Sequence, residues 1–227
     1  VAQSDRIAIV GSGCGGYAAI AGLTFTPEQF RCAAALNAPT NLSRLVEAAA
    51  PAMRDTWYLR VGDTRTAEGR EALRGRSPAQ RVCQIRRPLL IGVGALDRTG
   101  SRAEFDQAAL SLRMRAVPVT SILFPDEGAT LIRPQNRLAF AAVMEHFLGA
   151  CLGGRVEPVG AAFDGANMQV FDGAASVPGL QAFQRRPAAA PAVSRTPVSA
   201  DGVAVAPEMV APSDEEEPRP LAAPPQN

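Results

Sequence analysis

A seven-residue stretch near the start, Gly11-Ser12-Gly13-Cys14-Gly15-Gly16-Tyr17, restricts what this chain can fold into more than any other part of it. It follows the apolar run Ile7-Ala8-Ile9-Val10 and opens a run of small residues from Ala18 to Leu23. A strand passing into a helix through so few residues brings the two backbones close together, and glycines permit that approach. Strand, glycine-rich turn and helix make the layout of a G-x-S-x-G nucleophile elbow, whose central serine is held at the tip of the bend. Here the pentapeptide is Gly11-Ser12-Gly13-Cys14-Gly15. Both flanking glycines are in place and the central residue is glycine. The turn is kept and the nucleophile is missing.

The rest of the chain alternates apolar runs with helical patterns. Strands are expected at 30–36, 88–93 and 118–124, and helices at 66–74, 102–115 and 134–152. Phe105, Ala108, Ala109 and Leu112 stand at i, i+3, i+4 and i+7, one apolar helix face. In the last helix Phe140, Met144, Phe147, Leu148 and Cys151 form the expected buried stripe, and Gly153-Gly154 ends it. Residues 41–58 read as a surface excursion of broken helix, interrupted at Pro51 and packed down by Trp57 and Tyr58. Short connections and near-continuous apolar strands imply an α/β fold: a parallel sheet with helices on both faces. Functional residues in such sheets collect at the carboxyl ends of strands, where Gly13, Asp97 and Ala129 fall.

Of the 227 residues 47% are hydrophobic, enough for a real core, and the net charge of +1 gives no global pull toward nucleic acid. All 23 basic residues are arginine. Those between Arg60 and Arg87 read as a solvated face with local pairs to Asp63, Glu68 and Glu71. No run is long enough to span a bilayer. The chain opens at Val1 almost directly on a strand, which reads as a truncated start, so cytoplasm and periplasm stay equally open. Four scattered cysteines (Cys14, Cys32, Cys83, Cys151) and one histidine make no zinc pattern; no metal or other cofactor is expected, and the thiols read as free and buried. Three segments emerge: a partial domain at 1–154, an extension at 155–186 whose residues 156–170 pack on that domain, and a Pro/Ala-rich tail at 187–227. The tail carries an acidic knot, Asp214 to Glu217. Its composition suits disorder, or a segment that orders on a protein partner.

Several motifs in order carry a family resemblance. The run Asp5 to Leu23 resembles the nucleophile region of the prolyl oligopeptidase family of serine peptidases, and Arg76-Ser77-Pro78, Pro88 to Asp97, Pro118 to Gly128 and Arg133 to Arg137 follow as in that family. The resemblance covers most of residues 1–170. It implies the C-terminal portion of an α/β-hydrolase fold with a serine, aspartate and histidine in that chain order. The serine position falls on Gly13, the aspartate position on Asp97 and the histidine position on Ala129, so two of the three triad groups are absent. The family's upstream strands and second oxyanion-hole donor are also missing, which leaves an exposed sheet edge as a surface for a protein partner.

Acyl transfer needs a nucleophile, a base within hydrogen-bond reach and donors for the oxyanion. Ser12 as nucleophile would put Val10 and Cys14 where the turn needs small residues. Cys14 is the stronger substitute, because a helix N-terminus lowers a thiol pKa. No histidine follows the turn to serve it; His146 lies inside the last helix. Asp97 then reads as a turn acceptor. The expected function is a non-hydrolytic member acting as a binding or scaffold subunit. The alternatives are a hydrolase using Cys14, and a decayed gene fragment.

Overall fold

Each central strand is apolar on both sides, and that alone calls for two covering layers. In the computed structural model, which describes residues 3–98 and 102–185, the strands are β1 (Ala8–Ser12), β2 (Cys32–Leu36), β3 (Leu89–Gly94), β4 (Val119–Phe124) and β5 (Gln169–Asp172). They form one sheet in the order β1-β2-β3-β4-β5. The first four are parallel. Every residue of β3 is buried, as is every residue of β2 before Leu36. β1 lies at the edge of the described sheet, with Val10 47% exposed.

Alternate residues of each strand serve opposite faces. Ala33, Ala35, Leu89, Ile91 and Val93 face one cluster, built with Ala19, Ile20 and Leu23 of α1 (Cys14–Phe25) and Ala108, Ala109 and Leu112 of α5 (Arg102–Met114). Ala34, Leu90, Ile122 and Phe124 face the other, built with Ala139, Phe140 and Val143 of α6 (Pro134–Leu152). Phe124 and Phe140 meet edge to face at 6.1 Å. Helices on both faces of a mostly parallel sheet are the expected architecture.

The segment between β2 and β3 holds three short helices, α2 (Leu42–Glu47), α3 (Arg54–Arg60) and α4 (Ala67–Arg76). Asn41 and Thr66 cap the first and last, accepting from the N–H groups of Arg44 and Gly69. Leu42, Leu45 and Leu73 form a small separate core against Tyr17, Trp57 and Val61. Trp57 packs as expected. Tyr58, also half-buried, lies under the Arg65 guanidinium, 4.3 Å from the ring centre. Arg65 and Arg74 pair with Asp63 and Glu71, the solvated pattern expected for the arginine-rich stretch.

Four expectations change. The sheet is not wholly parallel, because β5 joins β4 antiparallel. Its sequence, Gln169-Val170-Phe171-Asp172, has no continuous apolar run to announce it. The packing expected of residues 156–170 runs on to 185: Phe163, Met168 and Val170, and beyond them Ala174, Val177 and Leu180, are buried in the α6 cluster. The stripe expected on α6 is displaced: its buried residues are Asn136, Ala139, Phe140 and Val143, while Met144, Phe147, Leu148 and Cys151 are half-buried. The second half of α6 borders an open apolar cleft beside the edge strand β1, lined by Val10, Leu36, Phe140 and Met144, and is less covered there. The cysteines are neither all free nor all buried. Cys32 and Cys151 form a disulfide, and Cys14 and Cys83 are exposed thiols. The tail expected at 187–227 lies outside the described residues. No described helix is long and apolar enough to cross a membrane.

Phe140→Ala should cost about 3–5 kcal/mol in urea unfolding, because it removes a buried ring between two packed layers. Leu59→Ala, at a side chain 89% exposed, should change stability by less than about 0.5 kcal/mol.

Candidate active site

β1 ends at Ser12, and Gly13 turns the chain into α1 with φ 56° and ψ −120°. The Gly13 N–H donates to the Leu36 carbonyl at 2.9 Å, and its own carbonyl accepts the N–H of Tyr17 at 2.9 Å. Strand and helix pass so closely that a Cβ on Gly11 would fall into the Gly15 backbone. One on Gly16 would stand 2.9 Å from both the Leu36 carbonyl and the Ala38 methyl. At Gly13 a Cβ would meet nothing within 4 Å. The bend thus leaves open space where a side chain at its tip would project.

The neighbouring strand ends are tied to this bend. Asn37, at φ 49° and 1% exposed, donates its N–H to the Gly92 carbonyl at 2.8 Å. Its Oδ1 accepts the Gly94 N–H, also at 2.8 Å. Gly94 allows the next approach, since a Cβ there would run into the carbonyl oxygens of Gly128 and Glu127. The turn after β3 then binds the turn after β4 through the Leu96 N–H on the Glu127 carbonyl, 2.9 Å. Asp97 follows, half-buried, its N–H on the Gly94 carbonyl.

Glu127 holds the last of these turns. It is 2% exposed and accepts from the N–H groups of Ile132 (2.7 Å) and Arg133 (2.9 Å) and from the Asn136 amide (2.8 Å). Burial pushes its pKa up, but the bonds from Ile132, Asn136 and Arg133 outweigh that, and the net shift is down despite Asp126 nearby. Arg133 pairs with Asp126 at 2.7 Å, and the Asn136 carbonyl oxygen takes the Asn167 N–H at 2.8 Å. Ala129 stands exposed on the turn so anchored.

The structure therefore sets Gly13, Asp97 and Ala129 at the carboxyl ends of β1, β3 and β4, along one edge of the sheet. It does not bring His146 there. That imidazole sits in the second half of α6, its Nε2 3.1 Å from the Glu157 carbonyl. Cys14 lines an apolar pocket of about 230 Å³ with Tyr17, Leu42, Leu45, Trp57 and Val61, and Arg60 and Arg76 also border it. The Tyr17 hydroxyl donates to the Arg76 carbonyl at 3.0 Å; burial raises its pKa, against the pull of the Arg76 charge. Asn37 and the pocket carried no motif. An asparagine just past a strand hints at positive φ, but its partner on β3 is 57 residues away. Among the described residues no group of three or more acidic, histidine or cysteine side chains could hold a metal ion.

A sequence model of the prolyl oligopeptidase family matches residues 1–155. The chain belongs to that family. Among curated relatives, dipeptidyl aminopeptidase BIII of Pseudoxanthomonas mexicana is 45% identical over 183 residues, covering 79% of this chain and 27% of that protein. Dipeptidyl peptidase family member 6 of Caenorhabditis elegans is 33% identical, covering 92% of this chain and 30% of that one. The chain thus spans less than a third of the length of either relative. A puromycin-hydrolysing peptidase of Mycobacterium tuberculosis superposes with TM-score 0.64 at 22% identity, over 69% of this chain and 24% of that one. An acylaminoacyl peptidase of Pyrococcus horikoshii superposes at 0.60 and 18%, over 72% and 27%. At such identities the two structures speak for the fold, which is that of α/β-hydrolase peptidases.

Because its folded pKa lies below the ordinary 4.5, Glu127 contributes stability that is complete above that value and is lost as pH falls through the lower, folded one. Urea unfolding at a series of pH values should show Glu127→Gln less stable by about 1–3 kcal/mol at neutral pH, with a shallower decline into acid than the native chain.

Proposed function

We propose that this member of the prolyl oligopeptidase family has lost hydrolysis and works by binding, as a recognition or scaffold subunit. The observation that carries this reading is Gly13. Its φ 56°, ψ −120° in a tight strand-to-helix turn supports reading the bend as a nucleophile elbow, its tip faces open space, and it bears no attacking atom. Ala129, at the family's histidine position, has no proton acceptor either. Losses within a triad are not additive, and one alone removes several orders of magnitude in rate. A serine held in this conformation would store about 1–3 kcal/mol of backbone strain, which glycine does not incur. Asp97 persists as part of the turn after β3.

A binding role draws on what remains. The apolar pocket beside the bend has room for one large side chain. Both curated relatives are named as dipeptidyl peptidases, so a peptide end is the ligand class we assign to it. A protein partner would have the exposed β1 edge or the C-terminal tail available. The position of Cys14 in that same pocket supports a second reading, thiol-dependent hydrolysis. Against it, the imidazole a thiol would use does not line the pocket.

The purified protein should form no adduct with a fluorophosphonate probe and turn over no chromogenic dipeptide substrate. Trp57, the single tryptophan, should report binding: its emission should change saturably on titration with dipeptides of large apolar side chain. A stoichiometric fluorophosphonate adduct would end the non-hydrolytic reading. Turnover that disappears in Cys14→Ala would install the second one. Flat Trp57 emission with every apolar dipeptide would remove the peptide-binding role.

A further inference from the structure

The two halves of α6 are held in different ways. Its buried residues, Asn136, Ala139, Phe140 and Val143, all lie in the first ten positions. From Met144 to Leu152 no side chain is fully buried. Met144 and Phe147 pack against the core from partly buried positions. The polar contacts of this half are exposed: the Glu157 N–H on the Glu145 carboxylate at 2.9 Å, and His146 on the Glu157 carbonyl. Gly149 weakens the final turns further, since glycine costs about 1 kcal/mol in a helix interior. At this point Cys151 is bonded to Cys32, the first residue of β2 and wholly buried. The bond closes 119 residues of separation, from the second strand to the last helix.

We infer that the Cys32–Cys151 bond is the covalent anchor of the second half of α6, and that this chain reaches its native state in a compartment that oxidises thiols. A bond across so long a loop removes much of the unfolded chain's freedom. Such bonds persist where thiols are not kept reduced, outside the cytosol in most organisms. The step needs an oxidant, and a donor disulfide of the glutathione or oxidoreductase class supplies it. One cysteine thiolate attacks the donor disulfide, forming a mixed disulfide and releasing one donor thiol. The second cysteine thiolate attacks that mixed disulfide, closing Cys32 on Cys151 and releasing the other donor thiol. Two protein thiols are oxidised and one donor disulfide is reduced to two thiols. Cys14 and Cys83 stay outside the exchange. The inference is independent of any activity at the site.

The test uses the full chain, expressed with export to an oxidising compartment. Denatured without reductant and alkylated, it should take up two groups, mapped by peptide mass to Cys14 and Cys83, and four after reduction. Reduction should lower the melting temperature by roughly 10–20 °C. Hydrogen exchange on the reduced protein should rise at residues 144–152 while 136–143 keep their protection. A double variant, Cys32→Ala with Cys151→Ala, should melt with the reduced protein and ignore reductant. If that variant does not fold, exchange on the reduced native chain still decides. Four groups without reductant, adducts on Cys32 and Cys151, or equal protection at 144–152 in both redox states would overturn the inference.

Discussion

Backbone meets backbone along one edge of this sheet, and everything at the site depends on that contact. Gly11 lies against Gly15, and Gly94 lies against the carbonyls of Glu127 and Gly128. No Cβ fits at either place. Between them Asn37, in a left-handed conformation, joins β2 to β3 through one main-chain and one side-chain bond. The turns that carry Gly13, Asp97 and Ala129 are thus placed by main-chain geometry.

The same logic separates the residues at the tips from those that hold the turns. Nothing packs on the tip of the first bend, so a glycine there leaves no cavity. The conformation is one that glycine occupies without strain. Ala129 is exposed and leaves no unpaired group behind, because the turn it rides on is fixed by Glu127. Glu127 is the opposite case. It is deeply buried and accepts three bonds, two of them from backbone N–H groups on the way into α6, so it cannot be exchanged freely. The architecture of this edge sits on a carboxylate and a few glycines.

Much of the fold was legible along the chain. Continuous apolar runs marked β2, β3 and β4 because strands buried on both faces leave no room for polar alternation. Asn41 and Thr66 sit where capping chemistry puts them. The three positions at the strand ends followed from ordered motifs. Other features were not legible. β5 is four residues with no patterned signal, and it becomes a strand only because β4 offers it an edge. The stripe on α6 shifted by a turn because its second half borders an open cleft beside the edge strand β1. The pocket beside Cys14 is assembled from α1, α2, α3 and the end of α4, which periodicity cannot bring together.

What the amino-acid order determined unaided is local: where the chain must turn tightly and which runs must be buried. These follow from the conformational range and atom inventory of single residues. Tertiary structure alone decided which distant groups meet. Cys32 and Cys151 read as unrelated thiols until a strand and a helix, 119 residues apart in the chain, bring their sulfurs into bonding distance. Asn37 reads as a loop residue until the neighbouring strand presents the N–H of Gly94. Such pairings depend on layer packing and strand order, which no spacing along the chain encodes.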